Sequence, residues 1–383
     1  MRAGQTRAVA SSSTSAGPIV AIRAEGADLH PDLHGAKAVG LQRLLRYGLP
    51  VPEALVVPID TAYAIKAQRL DTDELVALSR QLSGPRQERL AVRSGGPHSL
   101  PGALISVFDV DPDSVPEALA TVLRSADQPH VKPIAEALGV SEPTRSAVIV
   151  QRQLDTTADP RSGAGVATSC DPVNGQPGAR GSFAWAQRGA AVMAAEVPVE
   201  SLATLDEHLG ELHRRILNDL QRTADQEASP VEVEFAITSG ELWYLQLRRF
   251  SAPEFTIEPA TTGTVIGYGH AGSAGVGRGC LHVNVDDALD AIDHGQPVVL
   301  ALPTTSPGEV PAIVGCAGLI TIIGGRDSHA AVVARNVGVP AVLGVAGLRI
   351  VGGGIFIDGR QVPVGAELVV DGSNGQLVLP TDD

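Results

Sequence analysis

His329 stands in the run Gly324-Gly325-Arg326-Asp327-Ser328-His329-Ala330-Ala331-Val332-Val333-Ala334-Arg335. Asp or Ser ahead of such an apolar stretch is a good N-cap, so the spacing predicts a helix over Ser328–Asn336 with His329 in its first turn. The positive end of a helix disfavours imidazolium and keeps a neutral, nucleophilic ring nitrogen. It also favours a dianionic phosphoryl group once one is attached, and the glycine pair gives a second backbone close access. The same residues equally describe a histidine partly buried beneath an apolar helix.

Two acids come next. Glu232 and Glu234 lie in Val-Glu-Val-Glu-Phe, and residues two apart on a strand point to one face. Both carboxylates then project together while Val231, Val233 and Phe235 face the core. On the following strand Tyr244, Gln246 and Arg248 are expected to share a face. An odd-length loop at Ser239-Gly240-Glu241 would set Glu234 opposite Gln246 and Glu232 opposite Arg248. Acids beside an amide and a guanidinium suit Mg²⁺ with phosphate oxygens. A solvent-exposed sheet face with a cross-strand salt bridge accounts for the pattern as well.

Lys37 follows Gly35-Ala36 at the start of a helical run. A cation there opposes the helix dipole, a conflict that a bound anion removes. A surface lysine is the plainer reading. Arg93-Ser94-Gly95-Gly96 ends a short apolar strand and could bring a guanidinium and backbone amides to phosphates. Ser162-Gly163-Ala164-Gly165 reads as a second flexible loop. The remaining histidines, His208 and His213 on a polar helix and seven others in loop-like contexts, show no metal-ligand spacing.

Around these residues the chain must supply scaffolding. It has 383 residues, 29 basic and 43 acidic, a formal charge of −14, 44% hydrophobic and 3% aromatic content. That length suits two or three domains with real cores. The acidic balance and scarcity of rings argue against a nucleic-acid binder. The longest nearly apolar stretch, Ala312 to Ile323, falls short of the roughly 20 residues of a membrane span. Cys170, Cys280 and Cys316 lie far apart, suggesting neither a disulfide scaffold nor a zinc site, and a cytoplasmic setting is expected.

Residues 1–18 read as a disordered tail without the apolar segment of a secretory signal. Residues 19–250 read as a first domain, with helices at Ala36–Tyr47, Pro116–Leu123, Ile134–Leu138 and Ala203–Thr223. Its strands are expected at Ala54–Val57, Leu90–Val92, Leu104–Val110, Ala147–Gln151, Val231–Ile237 and Leu242–Leu247. Residues 251–263, around Pro253 and Pro259, read as a linker, and 264–383 as a compact second domain with one good helix. The class expected is mixed α/β (α+β).

In this order, the pieces resemble the pyruvate phosphate dikinase and phosphoenolpyruvate synthase family. Gly35-Ala-Lys-Ala-Val-Gly-Leu41 with Gly48-Leu-Pro-Val-Pro52 resembles its opening motif. Ala91-Val-Arg-Ser-Gly95 and Ser99-Leu-Pro-Gly102 are similar to its arginine loop. Ser162–Val166 with Asp171-Pro172 resembles its phosphate-covering loop, and Val231–Phe235 with Leu245–Arg248 its metal and nucleotide strands. Gly272–Gly279, Thr305-Ser-Pro307 and Gly324–Arg335 resemble its swivelling phosphohistidine domain.

The resemblance implies an ATP-grasp nucleotide domain, a hinge, and a mobile domain whose histidine accepts the β-phosphoryl of ATP. Lys37, Arg93, Gln246 and Arg248 would hold the phosphates of ATP, Glu232 and Glu234 Mg²⁺, and His329 would carry the phosphoryl group to a small-molecule acceptor. Two other readings follow from it: half of a split system that donates to a separate barrel protein, and a degenerate nucleotide-binding protein. Departures bear on them. Cys170 stands where the loop usually has an arginine, Ala186–Ala191 lacks the usual acids, and Ile323 and Asp327 replace an arginine and a threonine. The sequence ends soon after Val370–Leu379, where family members continue into a large barrel, so the expectation is action without that barrel.

Overall fold

In a computed structural model of the chain, residues 17–98, 100, 104–129, 131–137, 140, 145–187, 197, 199–252, 263–326 and 328–380 are described, with the backbone alone for 307 and 329. The tail up to residue 16, Ser99, Pro101, Gly102, residues 188–191, linker residues 253–262 and Asp327 lie outside them.

Among the described residues the strands form four sheets. In the first, β1 (Val20–Ala21), β2 (Ala54–Val57), β3 (Leu90–Gly95), β4 (Ser106–Val110) and β5 (Ala147–Arg152) run in the order β1-β2-β5-β3-β4. Alternation makes it two-faced. Leu55, Val57, Leu90, Val92, Val148 and Val150 pack beneath helices α2 (Ile59–Lys66), α3 (Asp73–Ser83) and α4 (Val115–Ser125). Val56, Ala147 and Ile149 point the other way and meet Ala38, Leu41 and Leu44 of α1 (Pro31–Arg46). Arg93 sits opposite Ile149 in the ladder, on that second face.

The second sheet has the order β10-β9-β6-β7-β8, from β6 (Gly163–Cys170), β7 (Pro177–Trp185), β8 (Glu200–Ser201), β9 (Val231–Thr238) and β10 (Glu241–Arg249). Val233, Phe235, Ile237, Leu242, Tyr244 and Leu247 join the α1 cluster together with Leu205, Leu209, Ile216 and Leu220 of α6 (Leu205–Glu227). The Ser162–Gly165 run is strand rather than flexible loop from Gly163 onward. A Cβ on Gly163 would stand 2.4 Å from the Ala184 carbonyl oxygen, and one on Gly165 2.6 Å from the Phe235 ring. These glycines serve close packing.

Three smaller elements complete the N-terminal part among the described residues: α5 (Val131–Ala137) and 3-10 turns at Pro112–Ser114 and Leu202–Thr204. In the C-terminal part β11 (Thr264–Tyr268), β12 (His270–Ser273), β13 (Val276–His282), β14 (Val298–Leu302), β15 (Gly318–Thr321) and β16 (Ala341–Leu343) build a larger sheet. With β20 (Glu367–Asp371) and β21 (Gln376–Leu379), its order is β11-β21-β20-β13-β14-β15-β16-β12. β17 (Arg349–Val351), β18 (Gly354–Ile357) and β19 (Arg360–Pro363) form a small sheet. Ile355, Ile357 and Val362 from it pack on one face of the large sheet.

The other face carries α7 (Val285–Asp293), α8 (Val310–Gly315) and α9 (His329–Val337). α9 matches the single helix expected here, whereas α7 and α8 were not anticipated. α7 does carry an N-terminal signature: the Asn284 side chain accepts from the amides of Asp286 and Asp287, and two acids occupy its first turn. α8 is only six residues long, too short for periodicity to register.

Candidate functional site

The kink that starts α1 positions Lys37. Gly35 has φ +79°, and a Cβ there would overlap the Gly95 carbonyl oxygen at 1.9 Å. The Ala36 amide donates to the Gly96 carbonyl at 2.8 Å. The helix proper therefore begins at Ala36, seated on the end of β3, with Lys37 in its first turn over Gly95. Replacing Gly35 with Ala combines backbone strain with overlap against main chain, and should cost roughly 2–6 kcal/mol. A melting curve checks this, and an unchanged midpoint would refute the docking of α1 on Gly95.

Opposite Lys37, β9 and β10 pair with Glu234 facing Gln246 and Glu232 facing Arg248. The pairing matches expectation but its cause differs. The turn is the two-residue Ser239-Gly240, both at positive φ (50° and 80°), as a tight hairpin demands. It pairs Glu241 with Thr238 and Tyr244 with Phe235. A bulge between Tyr244 and Gln246 then shifts the register and turns the following residues over. Tyr244 thus leaves the face of Gln246 and Arg248, contrary to the sequence expectation. It lies buried in the core, its hydroxyl 3.0 Å from Asp219 Oδ2.

Arg93 joins the sheets. Its Nη2 lies 2.7 Å from Glu234 Oε2 and donates to Gln246 Oε1 at 3.3 Å. Its Nη1 donates to the Leu245 carbonyl at 2.8 Å and to Gln151 Oε1 at 3.4 Å. Arg248 Nη2 pairs with Glu232 Oε1 at 2.8 Å. Six of the seven residues singled out in the sequence, Lys37, Arg93, Glu232, Glu234, Gln246 and Arg248, so form one cluster between the sheets. Gln151 is a seventh member that sequence reading passed over, although a polar residue ending the apolar run Ala147–Gln151 was its visible signal.

Several donors there have no acceptor. Arg93 Nε, Arg248 Nε and Gln151 Nε2 are buried without a hydrogen-bond partner. The Lys37 ammonium makes no hydrogen bond or ion pair among the described residues. Burial first, then the charge of Arg93, pushes Lys37 down to about 7 against the pull of Glu234. Burial pushes Glu234 upward, but Arg93, Lys37 and Arg248 outweigh it and hold the carboxyl below its usual range. Buried donors without acceptors are costly, and a polyphosphate supplies the missing acceptors, so the residues fit such a ligand. No group of three or more acids, histidines or cysteines able to hold a metal occurs among the described residues. Two carboxylates on one face suit Mg²⁺, which usually keeps waters and takes substrate phosphates for its other ligands.

Lys37 carries a pH signature. Its folded value near 7 lies below the unfolded ~10.4, so between these limits the folded chain has lost a proton that the unfolded chain keeps. Stability contributed at this position accordingly rises with pH across that window, and the charged form costs stability below it. A bound polyanion favours the ammonium, so polyphosphate binding above pH 7 should take up as much as about one proton and weaken by up to ~10-fold per pH unit. Titration calorimetry in two buffers of different ionisation enthalpy measures this uptake. Lys37→Met should abolish it, and zero uptake by the wild-type chain would remove Lys37 from the site.

His329 opens α9. The Ser328 side chain accepts from the Ala331 amide at 3.4 Å and donates to the Gly325 carbonyl at 2.8 Å, so Ser328 is the cap. The His329 side chain lies outside what is described. Arg335, one helical stretch on, donates from Nη1 to the carbonyls of Arg326 (2.6 Å) and Gly272 (2.9 Å), tying the loop before His329 to the sheet. Ile323, at a position where the resemblance puts an arginine, is exposed.

Residues 294–375 match the family model of the PEP-utilising enzyme mobile domain. The chain is 24% identical over 310 residues to pyruvate, phosphate dikinase of Clostridium symbiosum, covering 69% of this chain and 35% of that protein. It is 23% identical over 372 residues to pyruvate, phosphate dikinase 1 of Oryza sativa subsp. japonica, covering 86% and 38%. A solved D-alanyl-alanine synthetase A from Vibrio cholerae overlaps 58% of this chain and 59% of its own, at 12% identity and a TM-score of 0.34.

The chain thus carries a PEP-utilising enzyme mobile domain and is related to the pyruvate, phosphate dikinases over most of its length. It spans about a third of the length of these relatives. No helix among the described residues is long and apolar enough to cross a membrane.

Proposed function

We propose that the chain is an ATP-dependent phosphotransferase that charges His329 and passes the phosphoryl group to a small-molecule acceptor. The observation that carries this reading is the set of buried donors without acceptors, Arg93 Nε, Arg248 Nε and Gln151 Nε2, beside the unpaired Lys37 and two carboxylates on one sheet face. Phosphoryl transfer needs chiefly positioning and charge neutralisation, and this cluster offers both. Lys37, Arg93, Gln246 and Arg248 would hold the phosphates, and Glu232 and Glu234 would hold Mg²⁺. Held by these two carboxylates, Mg²⁺ would supply neutralisation of the phosphate charge.

In this reading residues 19–250 act as the nucleotide domain, in the manner of an ATP-grasp fold. Residues 264–383 act as the mobile domain, joined to it by a hinge at 251–263. A neutral ring nitrogen of His329 attacks the β-phosphorus, the bond to the bridging oxygen of the α-phosphate breaks, and AMP leaves with that oxygen. The γ-phosphoryl is then transferred to phosphate or water, and the β-phosphoryl stays on the histidine. The helix N-terminus of α9 supports a dianion at that place. A cytoplasmic setting suits the reading, with ATP at hand and Cys170, Cys280 and Cys316 free.

The test is labelling. ATP labelled at the β position should leave acid-labile, base-stable label on the chain. Label from the γ position alone would mean ordinary kinase chemistry. No label from either, with nucleotide bound, would leave a degenerate binding protein or an enzyme that charges only in the presence of a partner.

A further inference from the structure

Among the described residues the C-terminal part is seated on the N-terminal part by contacts of two kinds, apolar and ionic. Val131 and Ile134 of α5 are buried among Val310, Ala312 and Ile313 of α8. Arg326 Nη1, in the loop before His329, lies 2.6 Å from Asp171 Oδ2, in the turn after β6. We propose that the Asp171–Arg326 ion pair sets the register in which the part carrying His329 docks on the nucleotide cluster, making Arg326 a positioning residue. The inference rests on the phosphotransfer reading above.

Apolar contact is non-directional, so the α5–α8 seat alone permits sliding and rotation. A charge-assisted hydrogen bond fixes direction, and this one joins two rigid ends. On one side Asp171 is 1% exposed. Its Oδ1 accepts from the Val173 amide at 2.9 Å, its amide donates to the Gln176 carbonyl, and its carbonyl accepts from the Gly175 amide. On the other side the Arg326 carbonyl is held by Arg335, and the Ser328 amide and hydroxyl both donate to the Gly325 carbonyl.

The two ends are also close to the chemistry. Asp171 lies three residues beyond Thr168, which pairs with Glu232 across β6 and β9. Arg326 lies three residues before His329, so their Cα atoms are within ~11 Å by chain length. Arg180 Nε, 3.9 Å from Asp171 Oδ2, is a weaker second partner. A buried carboxylate that loses its main cation is poorly compensated, which biases Asp171 toward the docked arrangement.

Asp171→Asn keeps the side-chain shape and retains an oxygen for the Val173 amide, Arg326→Gln leaves a shorter uncharged polar side chain, and each removes the charge pairing. Each single variant and the double are compared with the wild type in three measurements: single-turnover charging from β-labelled ATP, the thermal shift produced by Mg·ATP, and the radius of gyration by small-angle scattering. The expected result is a charging rate lowered about 10- to 100-fold in each single variant, as misplacement of a reacting group produces. The double should be no slower than the worse single, the thermal shift unchanged, and the radius of gyration increased. Wild-type charging in both singles, or losses that multiply in the double, would overturn the proposal. If the wild-type chain itself takes up no label, the phosphotransfer reading falls and scattering decides alone: equal radii overturn the docking role, and expansion in both singles sustains it.

Discussion

Incubated with ATP labelled at the β position, the wild-type chain is expected to retain acid-labile label, and His329→Ala none. Removing a nucleophile removes the covalent step itself, which elsewhere costs on the order of a millionfold, so no residual signal should survive. The substitution is mild for the fold. Ser328 caps α9 through its own side chain, alanine is the best helix former, and Arg335 still anchors the loop at Arg326. The variant should melt within ~1 kcal/mol of the wild type and keep its nucleotide shift, which separates loss of chemistry from loss of structure. His270 is the useful control. It is exposed, and its ring comes within 3.1 Å of where a Gly344 Cβ would stand, beside the carbonyl of Gly324 in the loop that leads to His329. His270→Ala should charge normally. Label persisting in His329→Ala would assign the carrier elsewhere.

The second large effect is expected from Glu232→Gln combined with Glu234→Gln. In the wild type, Mg·ATP at about 100 times its dissociation constant is expected to stabilise by ~2.7 kcal/mol, which at 2–4 °C per kcal/mol is a shift of roughly 5–10 °C. The double variant should lose the part of that shift that depends on Mg²⁺ and keep a shift with ATP in the presence of a chelator. Three cations, Lys37, Arg93 and Arg248, would then face the phosphates without the two opposing acids, so metal-free ATP should bind at least as well as before. The apo protein should also melt lower, because Arg93 and Arg248 each lose the ionised partner seen at 2.7 and 2.8 Å. An intact Mg²⁺-dependent increment in the variant would show that these carboxylates are structural partners of the arginines and not metal ligands.

The sequence by itself determined the elements that follow from local rules. Alternation in Val231–Phe235 placed both glutamates on one face, and Glu234 and Glu232 do pair with Gln246 and Arg248. Period and capping placed His329 at the start of a helix, which runs from His329 to Val337. The glycine before Ala36-Lys37 marked a helix start, and the helical backbone breaks at Gly35. Strands such as Ala54–Val57 were legible because their apolar runs are short and bounded by proline.

Only the tertiary structure decided what depends on packing between distant segments. The bulge before Gln246 sends Tyr244 into the core, since two residues of β10 share one position on β9 and no local pattern marks which ones. Arg93 reaches Glu234, 141 residues away, and Lys37 is desolvated only because α1 sits on Gly95; neither the ion pair nor the lowered Lys37 value is a property of its own segment. Asp171 and Arg326 are separated by 155 residues, and each alone reads as an ordinary loop charge. Long-range partners of this kind are chosen by the shape that the buried apolar faces impose, and a charge pattern read along the chain carries no record of that shape.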